Sequence, residues 1–426
     1  MLVSVTRGMV DRRPICSSYR RILAGRYEAK EPTLILESET DYTKDLQRKG
    51  REFTEKHLNA KAIEIFQRLI AVNSCTSGTY YSLGINQLEL KLYEEAARSF
   101  RQAIDLDPKL MEAHHNLGVA LFELREFANS GVCFRDALTI NPAYGPAWYG
   151  LGVSCAKQEA YEDAIIAFKN AIESRPIWPE AHFNLGAAYD RLGERDQAIF
   201  SFRRAVEQKP DYGEAFYGLA INLGKTSRLE EAAQALRRSV ELLPGSFQVH
   251  HALGVALFKA GKYREALREY SRALELRKDF AAFLGLGKAF LRLREFEEAE
   301  RAVRAAVELT PDSFEAHYTL GCVYDGLAKS EKAIDSFRAS IKVDPLSAEA
   351  HCNLGRIYGI EGRYAEAIEI LQNAVRLDPQ LAEAHYNLGL CYFFVGDEQR
   401  LERELQKLSE IDGRSEARLK AVIETK

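Results

Sequence analysis

The sequence predicts an all-α solenoid of about eleven stacked helical hairpins, and three observations carry that prediction. A small residue, most often a glycine after a leucine, recurs at Gly50, Gly84, Gly118, Gly152, Gly186, Ala220, Gly254, Gly287, Gly321, Gly355 and Gly389. The spacing is 34 residues throughout except for one interval of 33. Within each unit the apolar positions fall at 4, 7, 8 and 11 and again at 17, 20, 24 and 27, which is the spacing of two amphipathic helices rather than of strands. Proline then follows the second helix at Pro108, Pro142, Pro176, Pro210, Pro244, Pro311, Pro345 and Pro379, where a missing amide and a ring clash end a helix at little cost.

Taken along the chain, residues 1 to 42 come first, with six arginines and one lysine before residue 31 against Asp11 and Glu28. They read as a basic leader or an added helix around residues 17 to 30; Asp11 and Pro14 weaken a mitochondrial import segment. Units begin at 43, 77, 111, 145, 179, 213, 247, 280, 314, 348 and 382 and span residues 43 to 415. In each, a small residue at position 8 faces another at position 20, such as Gly186 and Ala198, because two helices approach only as closely as the side chains between them permit. Unit one departs from the pattern at Lys49 and Ser74, and the last unit at Leu401, irregularities expected of solenoid ends. The unit from 247 has Lys278 in place of proline and lacks one residue, so a tightened turn is expected there. Residues 416 to 426 read as a capping helix, with Ser415 as its cap and Leu419 and Val422 covering the final hairpin.

This register resembles the tetratricopeptide repeat over nearly the whole chain. The resemblance implies a right-handed alpha-alpha superhelix whose first (A) helices line a concave groove, a scaffold that binds peptides or partner proteins without catalysis. Positions 2, 5, 6, 9, 12 and 13 would then face the groove. Position 5 carries Tyr149, Phe183 and Tyr217, and position 13 carries Lys157, Arg191, Lys225, Lys259 and Arg292 in five consecutive units, after Glu89 and Glu123. Aromatic groups beside a basic row suit an extended acidic segment. Asn116, Asn184, Asn353 and Asn387 share position 6, where an amide both donates and accepts. They resemble in part the asparagine ladder of protein O-glycosyltransferase repeat domains, although Gly150, Gly218, Ala252 and Gly285 interrupt it. Position 2 is mainly glutamate or small, as in Glu112, Glu180 and Glu214, which speaks against the carboxylate clamp of chaperone-binding relatives.

Composition narrows the remaining classes. A formal net charge of -4 over 426 residues leaves no basis for nonspecific nucleic-acid binding, and no run is apolar and long enough to cross a membrane. Seven cysteines without a CxxC pair read as free thiols in a reducing, cytoplasmic setting. Six of nine histidines occupy position 4 of their units, so a whole repeat separates neighbouring copies and no metal site or cofactor is expected. His115 and His251 stand at position 5 and are expected at the groove. The expected function is therefore a noncatalytic scaffold or adaptor for protein segments, with self-assembly through repeat edges or the convex face as the alternative.

Overall fold

The computed structural model describes residues 32–425, and the basic stretch before residue 32 lies outside the described residues. Among the described residues there are 23 helices and no strand, paired as eleven hairpins followed by one last helix. The chain divides between Pro176 and Ile177 into two compact units. The first holds four hairpins, from the helix Pro32–Glu55 to the helix Tyr161–Ser174; the second holds seven, from Pro179–Leu192 to Glu398–Ile411, and ends in Gly413–Glu424.

Helix boundaries follow the 34-residue register closely. A helices start where the register predicts, as in Ser77–Glu89, Met111–Glu123 and Gly213–Lys225, and B helices open at position 17, as in Tyr93–Leu106 and Leu229–Leu242. The first helix is the exception, beginning at Pro32 rather than near residue 43. Every A helix ends in the same way. Position 15 is left-handed in all eleven hairpins, glycine at 193, 261, 362 and 396 but a side-chain-bearing residue at His57, Lys91, Arg125, Glu159, Ser227, Arg294 and Ala328. A left-handed residue there lets the chain reverse while its amide satisfies a helix-end carbonyl, as when Arg125 N donates to Phe122 O at 2.9 Å.

The junction from a B helix to the next A helix is held by the position-4 side chain. Nε2 of His114, His250, His317 and His385 bonds the carbonyl of the proline six residues earlier, at 3.0, 3.1, 2.7 and 3.2 Å. Trp148 makes the same bond to Pro142 O at 2.8 Å. His250 and His385 also place Nδ1 against Glu269 and Glu404 of their own B helix, at 2.8 and 2.6 Å. These histidines therefore fasten loops. The unit that lacks a residue shortens this junction: Tyr263–Leu276 is followed after three residues by Phe280–Arg292. Asp279 replaces the missing turn by accepting from the amides of Ala281 and Ala282, a charged cap at a helix N-terminus.

In nine of the eleven hairpins the position-24 side chain lies on a position-8 glycine. A β-carbon on Gly84 would come within 2.6 Å of the Phe100 ring, so the glycine marks the closest approach of the two helices. Ala198, at position 20, is fully buried. At the chain's end Leu419 is fully buried against the last hairpin, and its δ-carbon covers Gly389. Val422 is half-buried. The cap of that last helix is Asp412, not Ser415: Asp412 accepts from the Arg414 amide, and the Ser415 hydroxyl donates to it at 2.6 Å. An ionised carboxylate answers the helix dipole better than a hydroxyl, and those two hydrogen bonds, the hydroxyl's first, hold the Asp412 carboxyl below its ordinary range.

Candidate functional site

Two kinds of joint recur between neighbouring repeats on the A-helix face. In one kind a tyrosine at position 5 packs on its own position-24 phenylalanine, and its hydroxyl accepts from the position-6 asparagine of the next repeat. Tyr81 lies 5.9 Å from Phe100 and accepts from Asn116 at 3.2 Å; Tyr318 lies 5.8 Å from Phe337 and accepts from Asn353 at 2.9 Å. Burial raises both tyrosines, Tyr318 to about 12. Asn387 makes a weaker version, its amide 3.7 Å from Sγ of Cys352, which stands where tyrosine would.

In the second kind position 5 has no phenol and the next position 6 is glycine. His115 packs on Phe134, Phe183 on Phe202 and His251 on Tyr270. The position-6 residues of the next repeats are Gly150, Gly218 and Gly285, whose added β-carbons would meet those same position-24 rings at 2.5, 2.7 and 2.6 Å. The glycines that interrupt the asparagine series are thus slots for a ring edge. The repeat register assigns His115 and His251 to the groove face, and both are partly buried there among aromatic rings. His115 lies between Phe134 and Tyr144, its Nδ1 buried without a hydrogen-bond partner, and burial pushes it down to about 4. His251 stacks on Phe247, over whose ring Arg277 sits at 3.8 Å, and burial lowers it also.

Of the expected site residues, the aromatics are half-buried. Tyr149 packs on Phe168 in the first unit, Phe183 between Phe202 and Tyr212 in the second, and burial raises Tyr217. Asn116, Asn353 and Asn387 spend their amides on the preceding repeat, and Asn184 is half-buried. The basic row is exposed. Lys157 lies in the first unit; Arg191, Lys225, Lys259 and Arg292 lie in the second. All sit in the last turn of their A helices, where a cation is stabilised by the helix dipole. Lys225 bonds Asp190 at 2.6 Å, and at position 9 Lys288 pairs with Glu315 and Arg356 with Asp325. Lys157, Arg191, Lys259 and Arg292 make no ion pair among the described residues. Sequence spacing locates this row but not its pairing, which depends on the neighbouring repeat.

Four of the described thiols pack as small, mostly apolar side chains. Burial pushes Cys133, Cys322, Cys352 and Cys391 up to about 11, away from the thiolate form that reacts or ligates. Among the described residues no group of His, Cys, Asp and Glu is arranged to hold a metal ion, and no described helix is long and apolar enough to cross a membrane.

Family models described as TPR repeat or tetratricopeptide repeat match residues 88–124, 112–144, 133–182, 179–212, 251–314, 314–345, 336–369 and 355–396, together more than half of the chain. No curated protein matches it. Among solved structures, YrrB, described as a TPR protein with an unusual peptide-binding site, is 24% identical over 43% of this chain and 95% of its own, with a TM-score of 0.39. MamA from Desulfovibrio magneticus is 23% identical over 40% of this chain and 96% of its own, at 0.38. Yeast Tom70 is 14% identical over 90% and 95%, at 0.37.

Proposed function

Because the chain belongs to the tetratricopeptide-repeat family, we propose that it is a noncatalytic scaffold or adaptor that binds an extended, acidic protein segment along its A-helix face. The observation that carries this reading is the set of exposed cations Arg191, Lys259 and Arg292 in the second unit, which make no ion pair among the described residues. A surface charge kept free of carboxylates contributes little to folding but steers and selects an oppositely charged partner. Lys225, engaged by Asp190, is an internal control. An asparagine ladder of the O-glycosyltransferase kind gains no support, because Asn116 and Asn353 already donate to tyrosines. The unreactive, apolar use of the cysteines favours a reducing compartment such as the cytoplasm.

The test uses a fluorescent glutamate-rich peptide of about 20 residues, long enough in extended form to span several repeats. Replacing Arg191, Lys259 and Arg292 together by glutamine is expected to weaken binding by about tenfold and to flatten its salt dependence, whereas Lys225→Gln leaves both nearly as they were. Unchanged affinity and salt slope in a folded triple variant would remove the basis for the reading. Self-assembly, the other possibility, would draw on exposed apolar residues of the outer B helices such as Val132 and Ile166, and would show as concentration-dependent sedimentation.

A further inference from the structure

Within the second unit the position-13 column changes character partway along. It runs Arg191, Lys225, Lys259 and Arg292, and then Gly326, Ile360 and Phe394. Ile360 is 65% exposed, Phe394 42% and the adjoining Val395 50%. Most repeats of this chain put a charged group at that position, and its replacement by exposed apolar side chains goes against the hydrophobic driving force. The apolar stretch is also organised. Tyr364, which opens the preceding B helix, stacks on Phe394 at 5.3 Å with planes 9° apart. Earlier in the column, from the same register position as Tyr364, the Phe296 ring occupies the space that a side chain at Gly326 would take. Phe296 and Tyr364 both stand thirty residues before their position-13 partners, so the two contacts are the same contact in different repeats.

We propose that the A-to-B turn edge of the second unit is a bipartite docking surface for one extended polypeptide, which lays carboxylates on Arg191, Lys259 and Arg292 and an apolar anchor on Ile360, Tyr364 and Phe394. This rests on the proposed binding of an acidic segment and adds the second half of the ligand and its order. Charge complementarity selects the occupant. Of the acidic groups next to this edge, Asp190 is engaged by Lys225 and Asp325 by Arg356, and Glu194 and Glu361 are exposed in the same turns; the exposed Glu214 and Glu383 stand at the opposite, N-terminal ends of their A helices. The exposed cations of the column at the C-terminal ends of the A helices favour an acidic chain there. Continuity sets the order of the two halves, because the apolar residues occupy the next places in the same column. Successive A helices lie about 10 Å apart, the ordinary separation of packed helices, which an extended chain crosses in about three residues. The acidic groups should thus recur at about three-residue spacing, with the apolar anchor about six residues beyond the one that meets Arg292.

Two labelled peptides test this with the full chain. One carries glutamates at every third position of a glycine-serine background followed after six residues by Phe-Leu-Phe; the other ends in Ser-Ser-Ser instead. The first is expected to bind at least tenfold more tightly, and Ile360→Ser/Phe394→Ser is expected to abolish that advantage while leaving the serine peptide's affinity unchanged. Circular dichroism verifies that the double variant, altered at exposed positions, keeps its helicity. Equal binding of the two peptides, or an advantage that survives the double substitution, overturns the apolar half while leaving the acidic reading standing. Binding of neither peptide overturns both. An advantage that instead grows with protein concentration, in step with formation of dimers by sedimentation, assigns the apolar edge to a second copy and also overturns the proposal.

Discussion

Replacing His115 by phenylalanine should remove a defined part of the acid sensitivity of the first unit. The imidazole is enclosed by the rings of Phe134 and Tyr144 at 5.4 and 5.3 Å, its Nδ1 has no partner, and burial lowers it from 6.5 to about 4. The sign depends on which state takes the proton first. The unfolded chain protonates this histidine as the pH falls through 6.5 and the folded chain does not until about 4, so stability is lost across that window. Each pH unit corresponds to about 1.4 kcal/mol, which gives about 2 kcal/mol at pH 5 relative to pH 7.5, and somewhat less where water reaches the ring. Phenylalanine is a fair replacement because Phe183 occupies the same position between Phe202 and Tyr212, followed like His115 by a glycine slot. Hydrogen exchange of residues 77 to 176 at the two pH values, in wild type and His115→Phe, isolates the effect from every other titrating group. On acidification the wild-type protein should lose about 2 kcal/mol more protection than His115→Phe does. Parallel losses in the two proteins would show that the ring reaches water freely and that its enclosure has been misread.

Two further substitutions probe packing and turn geometry. Ala198→Leu adds volume where a fully buried B-helix residue meets its neighbours and should cost about 1 to 3 kcal/mol, with exchange rising first between residues 179 and 246; uniform loss along the second unit would contradict nearest-neighbour stability. Ala328→Gly relieves a left-handed alanine with φ of 52° and should stabilise the fold by about 0.5 to 1 kcal/mol after the entropy that glycine adds to the unfolded chain, seen as a higher urea midpoint; a lower midpoint would mean that the turn carries no such strain.

The helices are legible in the sequence because their cause is periodic. Any position whose requirement is identical in every unit, such as the glycine under the Phe100 ring, repeats often enough to be read. Requirements that are shared between two units are not legible in the same way. Asn116 and Gly150 occupy the same position and look like presence and absence of one feature, yet each is the correct complement to Tyr81 or to Phe134 in the repeat before it. The pairing of Lys225 with Asp190 is hidden for the same reason, since 35 residues separate two groups that the stack brings together. The left-handed turn escapes notice because glycine fills it in just four of eleven hairpins, and a steric requirement met mostly by ordinary side chains leaves little trace in composition. Residue type alone points to Ser415 as a cap, but Asp412, three residues earlier, supplies a charge as well as an acceptor.

The two kinds of joint make the repeats of this chain non-interchangeable, although all share one register. Each joint is split between neighbours, one half in the aromatic groups of a repeat and the other in a single residue of the next. Excising residues 213 to 246 would leave every helix in phase and yet set Ala252 against the Phe202 ring, which now has the bare backbone of Gly218 beside it. Excising residues 314 to 347 would set Asn353 beside Leu284, which has no hydroxyl to receive its amide. Gain or loss of a whole repeat is therefore tolerated without repair only where the new neighbours carry matching halves, and the order of the repeats is itself part of the information that specifies the fold.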